Sequence, residues 1–159
     1  MDLAGIEPFV RHHVRYDEWF ERHPAAYLSE LLAVRALLPW GGRGLEIGVG
    51  SGRFAAPLGV EYGIDPAAPM LDRARARGVR VASAVAEALP FSDRTFDHAL
   101  VVTTLCFVSD AAAMAREARR VLRPSGALVI GFIDRESALG LHSLASRADN
   151  VFCRDARFY

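Results

Sequence analysis

An apolar strand that breaks into a loop with glycine at every second position constrains this chain more than any other feature. It reads Leu45-Glu46-Ile47-Gly48-Val49-Gly50-Ser51-Gly52, and Asp65 closes the next apolar run. Glycines at that spacing let a ligand approach bare backbone where a Cβ would clash, and they open a helix N-terminus toward it. Asp65 stands about 20 residues beyond the start of the stretch, where nucleotide-binding α/β folds place the carboxylate that holds ribose hydroxyls. The expected ligand is an adenosine-containing cofactor.

The glycine spacing discriminates between cofactors. A dinucleotide fingerprint is G-x-G-x-x-G; here the third glycine arrives one residue early, at Gly52, and Arg53 takes its place. Glu46, two residues before Gly48, would repel a pyrophosphate but can receive an ammonium group. Both features favour a nucleoside with an amino-acid tail over NAD.

Composition narrows the class. At 159 residues the chain suits one domain, and 52% hydrophobic residues can bury a parallel sheet on both faces. Formal net charge is zero with no basic run, so no electrostatic footprint for nucleic acid exists. The sequence contains no lysine, which excludes a P-loop lysine, a Schiff base and a lysine general base. Cys106 and Cys153 lack metal-ligand spacing and are expected as reduced thiols of a cytoplasmic protein. No signal peptide or membrane-length apolar segment is present.

Along the chain, strand and helix alternate. Residues from Met1 to His13 are expected as a helix with Ile6, Phe9 and Val10 on one side, and a helix over Ala26 to Leu38 ends at Pro39 and Gly41-Gly42. Strands are expected at Leu45 to Gly48, Val60 to Asp65, Val79 to Ser83, Phe96 to Val102 and Ala127 to Ile133. Helices are expected at Ala67 to Arg77, stopped by Gly78, and at Ala111 to Leu122, capped by Asp110 and broken by Pro124-Ser125-Gly126. Strands joined by such helices imply right-handed crossovers in a parallel sheet. The fold class is therefore α/β, a Rossmann-like three-layer α/β/α sandwich with a mostly parallel sheet. Residues 1–40 are expected as a helical cap and 41–159 as the cofactor-binding domain.

Further motifs follow in order: Asp65-Pro66 with Met70-Leu71, Ala86-Glu87-Ala88-Leu89-Pro90-Phe91 with Phe96-Asp97, and Glu117 with Arg120-Val121-Leu122-Arg123-Pro124-Ser125-Gly126. Together with the glycine loop, this series resembles the class I S-adenosylmethionine-dependent methyltransferases of the ubiquinone/menaquinone type. The resemblance runs from about Asp17 to Ile133 and implies the strand order 3-2-1-4-5 and a role for each residue. Glu46 would accept from the methionine ammonium of S-adenosylmethionine. Gly48, Gly50 and Gly52 would give close approach, and Asp65 followed by Pro66 would bind the ribose. Met70 would pack on adenine, and Ala86 with Glu87 would face the adenine edge, with Glu87 expected to pair with an arginine. Thr103 would lie near the methionine end. Tyr16-Asp17-x-Trp19-Phe20 is similar to an N-terminal element that covers the cofactor, with Tyr16 and Trp19 as lid residues. Val85 stands where many relatives carry an adenine-binding Asp.

The implied reaction is in-line methyl transfer to a small-molecule acceptor, with S-adenosylhomocysteine as product. The sulfonium already carries an activated methyl group, so alignment and water exclusion are the main demands. Candidate bases are His12, His13, Tyr16, Asp17, His23 and His142, with His142 and Tyr16 the catalytic candidates. No metal is expected from the adjacent His12 and His13 alone. Full-size relatives add a helix and a strand hairpin after strand five; Arg135 to Arg157 has room for one helix, so the hairpin is expected to be missing and strand five to be an open edge. A monomer is expected, or a homodimer that covers this edge. A cofactor-binding sensor or regulatory subunit without catalysis is the alternative.

Overall fold

The computed structural model describes residues 5–159. Five strands lie side by side, all parallel: β1 (Gly44–Ile47), β2 (Tyr62–Asp65), β3 (Arg80–Ser83), β4 (Phe96–Val102) and β5 (Leu122–Gly131). Their order is β3-β2-β1-β4-β5, as the family resemblance implies. Leu45 pairs with Tyr62 on one side and with Ala99 on the other, which puts β1 at the centre with every residue buried. The order reverses between β1 and β4, and the crevice at their C-terminal ends is where open α/β sheets take ligands.

Helices cover both faces. Leu45, Ile47, Ile64, Ala99 and Val101 pack with Met114, Ala118 and Val121 of α6 (Ala111–Val121). The opposite cluster joins Leu100, Val102 and Val129 to Val34 of α3 (Pro24–Leu37), to Ala55 and Leu58 of α4 (Ala55–Leu58), and to Leu71 and Ala74 of α5 (Ala68–Ala76). Burying Leu45 and Ile47, both at 0% exposure, contributes about 1.5–3 kcal/mol each. Asp110 caps α6 by accepting from Ala113 N at 2.9 Å. Gly78 follows α5 with φ +87°, a conformation that costs glycine nothing.

Several boundaries differ from expectation, each for a physical reason. The first four residues of the expected N-terminal helix lie outside the described residues. The rest divides into α1 (Glu7–Arg11) and α2 (His13–Arg22), so the Tyr16-Asp17-x-Trp19-Phe20 segment is helical. β5 begins at Leu122 rather than Ala127: its ladder steps from Phe96↔Leu122 to His98↔Ala127, and the residues between bulge out. A bulge is where a strand tolerates the missing N–H of Pro124. Phe132 and Ile133 lie beyond the end of β5. The helix after the glycine loop, α4, is a single turn stopped by Gly59 at φ +72°. Beyond β5, Ser137 caps α7 (Ala138–Ala145) by accepting from Gly140 N at 3.0 Å. The chain then returns across the sheet: Arg157 N donates to Cys106 O at 2.8 Å and Arg135 N to Tyr159 O at 2.9 Å. Among the described residues no helix is long and apolar enough to cross a membrane.

Candidate functional site

The loop after β1 is held by backbone before any ligand is considered. Gly48 N and Val49 N both donate to Ile64 O at 2.8 Å. The three glycines then serve different ends. A Cβ on Gly48 would stand 2.3 Å from Thr104, whose Oγ1 donates to Gly48 O at 3.2 Å. One on Gly52 would stand 3.0 Å from Ala74 Cα, where α5 packs on the loop. Gly50, at φ +50°, is the one that faces open space, with Met70 Cε at 3.4 Å and Tyr16 Cε1 at 3.9 Å from its ideal Cβ. Gly48 and Gly50 border a cavity of about 970 Å³; Gly52 does not.

Asp65 organises that wall. Its Oδ2 accepts from Gly50 N at 3.0 Å and its Oδ1 from Ala67 N at 2.8 Å, leaving each oxygen a further lone pair for a ligand hydroxyl. Burial pushes its carboxyl up to about 6, partly offset by those two N–H donors. Pro66, Ala67 and Met70 continue the wall. Glu46 lies beneath the loop at 2% exposure, and its Oε2 has no partner among the described residues. Burial raises its carboxyl well above the usual range, the Ala55 N–H opposes this, and the nearby Asp65 charge adds to it.

The lid is attached by a charged clasp. Asp17, 6% exposed, accepts from Ser51 Oγ at 2.7 Å, Arg53 Nε at 2.9 Å, Arg77 Nη2 at 2.8 Å and Arg73 Nη1 at 3.1 Å. These bonds outweigh its desolvation and hold the carboxyl far below the usual range. Asp17 is therefore a clasp and not the base that its position among the candidates suggested. Arg53, in the place of a dinucleotide glycine, reaches Asp17 and Glu21. Tyr16 and Trp19 flank Asp17 on α2 and both line the cavity. Burial, with Asp65, Glu46 and Glu30 adding negative charge, pushes the Tyr16 phenol above its ordinary value. At neutral pH it is a proton donor rather than a base.

The other candidates separate. His13 Nδ1 meets Arg73 Nε at 3.1 Å, His12 turns an edge to Phe152, and His23 stacks on Trp19 at 4.8 Å. His142 lines the cavity from α7, on the face it shares with Leu139, Ser143 and Ser146. Thr103, directly after β4, lines it at φ +50°, a left-handed conformation uncommon for a β-branched residue. Val85, Ala86 and Glu87 form the far wall. Glu87 Oε1 accepts from Ser109 N at 2.8 Å and Asp110 N at 3.2 Å, so backbone takes the place of the expected arginine. Arg120 explains why the later motifs recur together: it donates to Glu117, Leu89 O, Phe91 O and Asp93 Oδ1, while Glu117 accepts from Leu89 N at 2.8 Å. This knot fixes the loop that carries Ala86 and Glu87.

Sequence reasoning named Tyr16 on the cavity's aromatic side but missed Phe152 and the contact that Phe9 makes there. Phe9 meets Phe107 at 5.0 Å, Tyr16 at 5.4 Å and Phe152 at 5.4 Å between ring centroids. Glu30 of α3 also lines the cavity unannounced. The Tyr16-Asp17-x-Trp19-Phe20 segment and His142 are the signals that pointed to parts of this cavity.

The residues fit an S-adenosyl ligand. Gly50 is bare at the cavity wall and the Asp65 oxygens retain capacity for hydroxyls, while Glu46, with its unpartnered Oε2, lies buried beneath the loop and does not itself line the cavity. Comparison with known proteins agrees. Residues 45–130 match the model of a methyltransferase domain. An uncharacterized Methanocaldococcus jannaschii protein is 41% identical over 150 residues, covering 94% of this chain and 73% of that protein. A Mycobacterium tuberculosis protein is 46% identical over 148 residues; the chain spans about half of it, at 52%. A Thermotoga maritima crystal structure superposes with a TM-score of 0.91 at 49% identity, covering 95% of this chain and 72% of that one. That protein is described as an SAM-dependent methyltransferase and possible histamine N-methyltransferase.

Proposed function

We propose, from the premise that this chain belongs to the class I S-adenosylmethionine-dependent methyltransferase family, that it methylates a small-molecule acceptor and releases S-adenosylhomocysteine. The observation that carries the reading is Asp65, buried at the cavity wall and already aligned by Gly50 N and Ala67 N. When bound, S-adenosylmethionine supplies an electrophilic methyl group, so no protein nucleophile is required. Asp65 accepts from the ribose hydroxyls, and the orphaned Glu46 Oε2 receives the ammonium. Met70 packs on the adenine, whose edge meets the backbone of Ala86 and Glu87. Tyr16 and Trp19, seated by the Asp17 clasp, exclude water and hold the acceptor in line, the source of most of the rate in such a reaction. The Thermotoga relative's description makes amines the first acceptors to assay.

Titration calorimetry with S-adenosylmethionine and S-adenosylhomocysteine tests this, with NAD and Asp65→Ala as controls. Micromolar binding that is lost in the variant and absent for NAD supports the reading; preference for NAD sinks it. Methyl transfer from labelled cofactor to an acceptor panel separates an enzyme from a cofactor-binding protein without turnover.

A further inference from the structure

Glu30 stands apart among the charged groups of the cavity. Asp65 and Glu87 are satisfied by backbone N–H groups, and Arg22, Arg147 and Arg157 each donate to a carbonyl. Arg15, Asp149 and Asp155 are exposed to solvent. Glu30 alone is half-buried with no hydrogen bond or ion pair to any described residue. The same cavity is lined by Trp19, Phe20, Phe54 and Val102, which belong to or pack on the apolar cluster between α2, α3 and the sheet. Desolvation raises its carboxyl, and no opposing charge acts to lower it. Its charge reaches Tyr16, as do those of Asp65 and Glu46. A carboxylate held so costs the free protein stability, because a desolvated charge without a partner is unfavourable. A cation bound beside it offsets that cost.

We propose that Glu30 is the counter-ion subsite for an ammonium group on the methyl acceptor. The assignment rests on the methyltransferase reading, in which Glu46 already serves the ammonium of the cofactor. It also restricts the acceptor's chemistry. An ammonium nitrogen has no lone pair, so the group held by Glu30 is an anchor and not the nucleophile. The acceptor is then a small cationic molecule that carries a second, neutral nucleophilic atom such as a ring nitrogen, a hydroxyl or a thiol. The anchor is also what lets a cation reside near a positively charged sulfonium, since the carboxylate cancels their mutual repulsion.

The test uses protein saturated with S-adenosylhomocysteine, titrated with phenethylamine and with its uncharged counterpart 2-phenylethanol. Wild type is expected to bind the amine at least tenfold more tightly than the alcohol. Glu30→Gln should abolish that preference, keep S-adenosylhomocysteine affinity within about twofold, and melt no lower than wild type, because it removes an unpartnered charge. Equal or undetectable binding of the two probes, or a preference that survives in Glu30→Gln, overturns the assignment while the methyltransferase reading stands. Weakened S-adenosylhomocysteine binding in Glu30→Gln also overturns it and moves the carboxylate to the cofactor tail. Failure of wild type to bind S-adenosylhomocysteine sinks the methyltransferase reading and this assignment with it.

Discussion

The two sides of the cavity are built by different means. On the side of β1, β2 and α5, the Asp65 carboxylate is held by the main-chain N–H groups of Gly50 and Ala67 at 2.8–3.0 Å. On the other side, Phe9, Tyr16, Phe107 and Phe152 arrive from distant segments and meet through ring edges at 5.0–5.6 Å. The first side is rigid because its geometry is that of the main chain. The second depends on where remote helices and the returning chain come to rest. A cofactor shared by many enzymes suits the first, and an acceptor particular to one enzyme suits the second.

The clasp that joins the two sides gives the largest expected effect. Asp17→Ala leaves Arg53, Arg73 and Arg77 facing one another without their carboxylate, and breaking a buried ion pair costs about 3–5 kcal/mol. The arginines are partly solvated, so a loss of about 3 kcal/mol is expected in urea unfolding, at the lower end of that range. A loss below about 1 kcal/mol would mean that apolar packing, and not charge, seats the lid.

Next comes Asp65→Ala. Hydrogen bonds to a charged acceptor contribute ~1.5–3 kcal/mol each, so S-adenosylhomocysteine affinity should fall by roughly a hundredfold in calorimetry. A folded variant that binds within fivefold of wild type would break the comparison, because the main-chain side would then not be the cofactor's.

The same residue sets a pH dependence. Asp65 titrates near 6 in the folded protein, above its ordinary 3.8. Ribose hydroxyls need the ionised form, so affinity should fall below about pH 6, by up to about tenfold per unit. For the free protein the sign is opposite. The folded state binds the extra proton between about 3.8 and 6, so this group's contribution to stability declines as pH rises through that window. Asp65→Asn should flatten both profiles.

The smallest effect sharpens the comparison from the other side. Phe152→Ala removes ring contacts with Phe9 and Tyr16, each worth about 0.5–1.5 kcal/mol beyond burial. It should weaken acceptor binding while leaving S-adenosylhomocysteine affinity within about twofold. A large change in cofactor affinity would show that the two sides act as one.

Much of the fold was legible because its signals are local. β4 was placed at both ends by its apolar run, α6 by the Asp110 cap, and the end of α5 by Gly78. The bulge of β5 was not, since Pro124 and Gly126 mark a break in either a loop or a strand, and only pairing with β4 decides which. The division of the glycines was hidden for the same reason: Thr104 and Ala74, which require two of them, are remote in sequence. Asp17 shows the limit most plainly. A carboxylate beside a Tyr reads as a candidate base until three arginines from elsewhere in the chain surround it.

What the sequence alone determined was the set of strands and helices, the glycine loop and the acid that faces it. Periodicity and φ preference act over a few residues, so they are written where they operate. What tertiary structure decided was which polar groups are spent and which are free: Asp17 clasped, Glu87 satisfied by backbone, Glu30 without a partner, and four aromatic rings brought onto one wall. Satisfaction and burial depend on neighbours from anywhere in the chain, and only the folded arrangement supplies them.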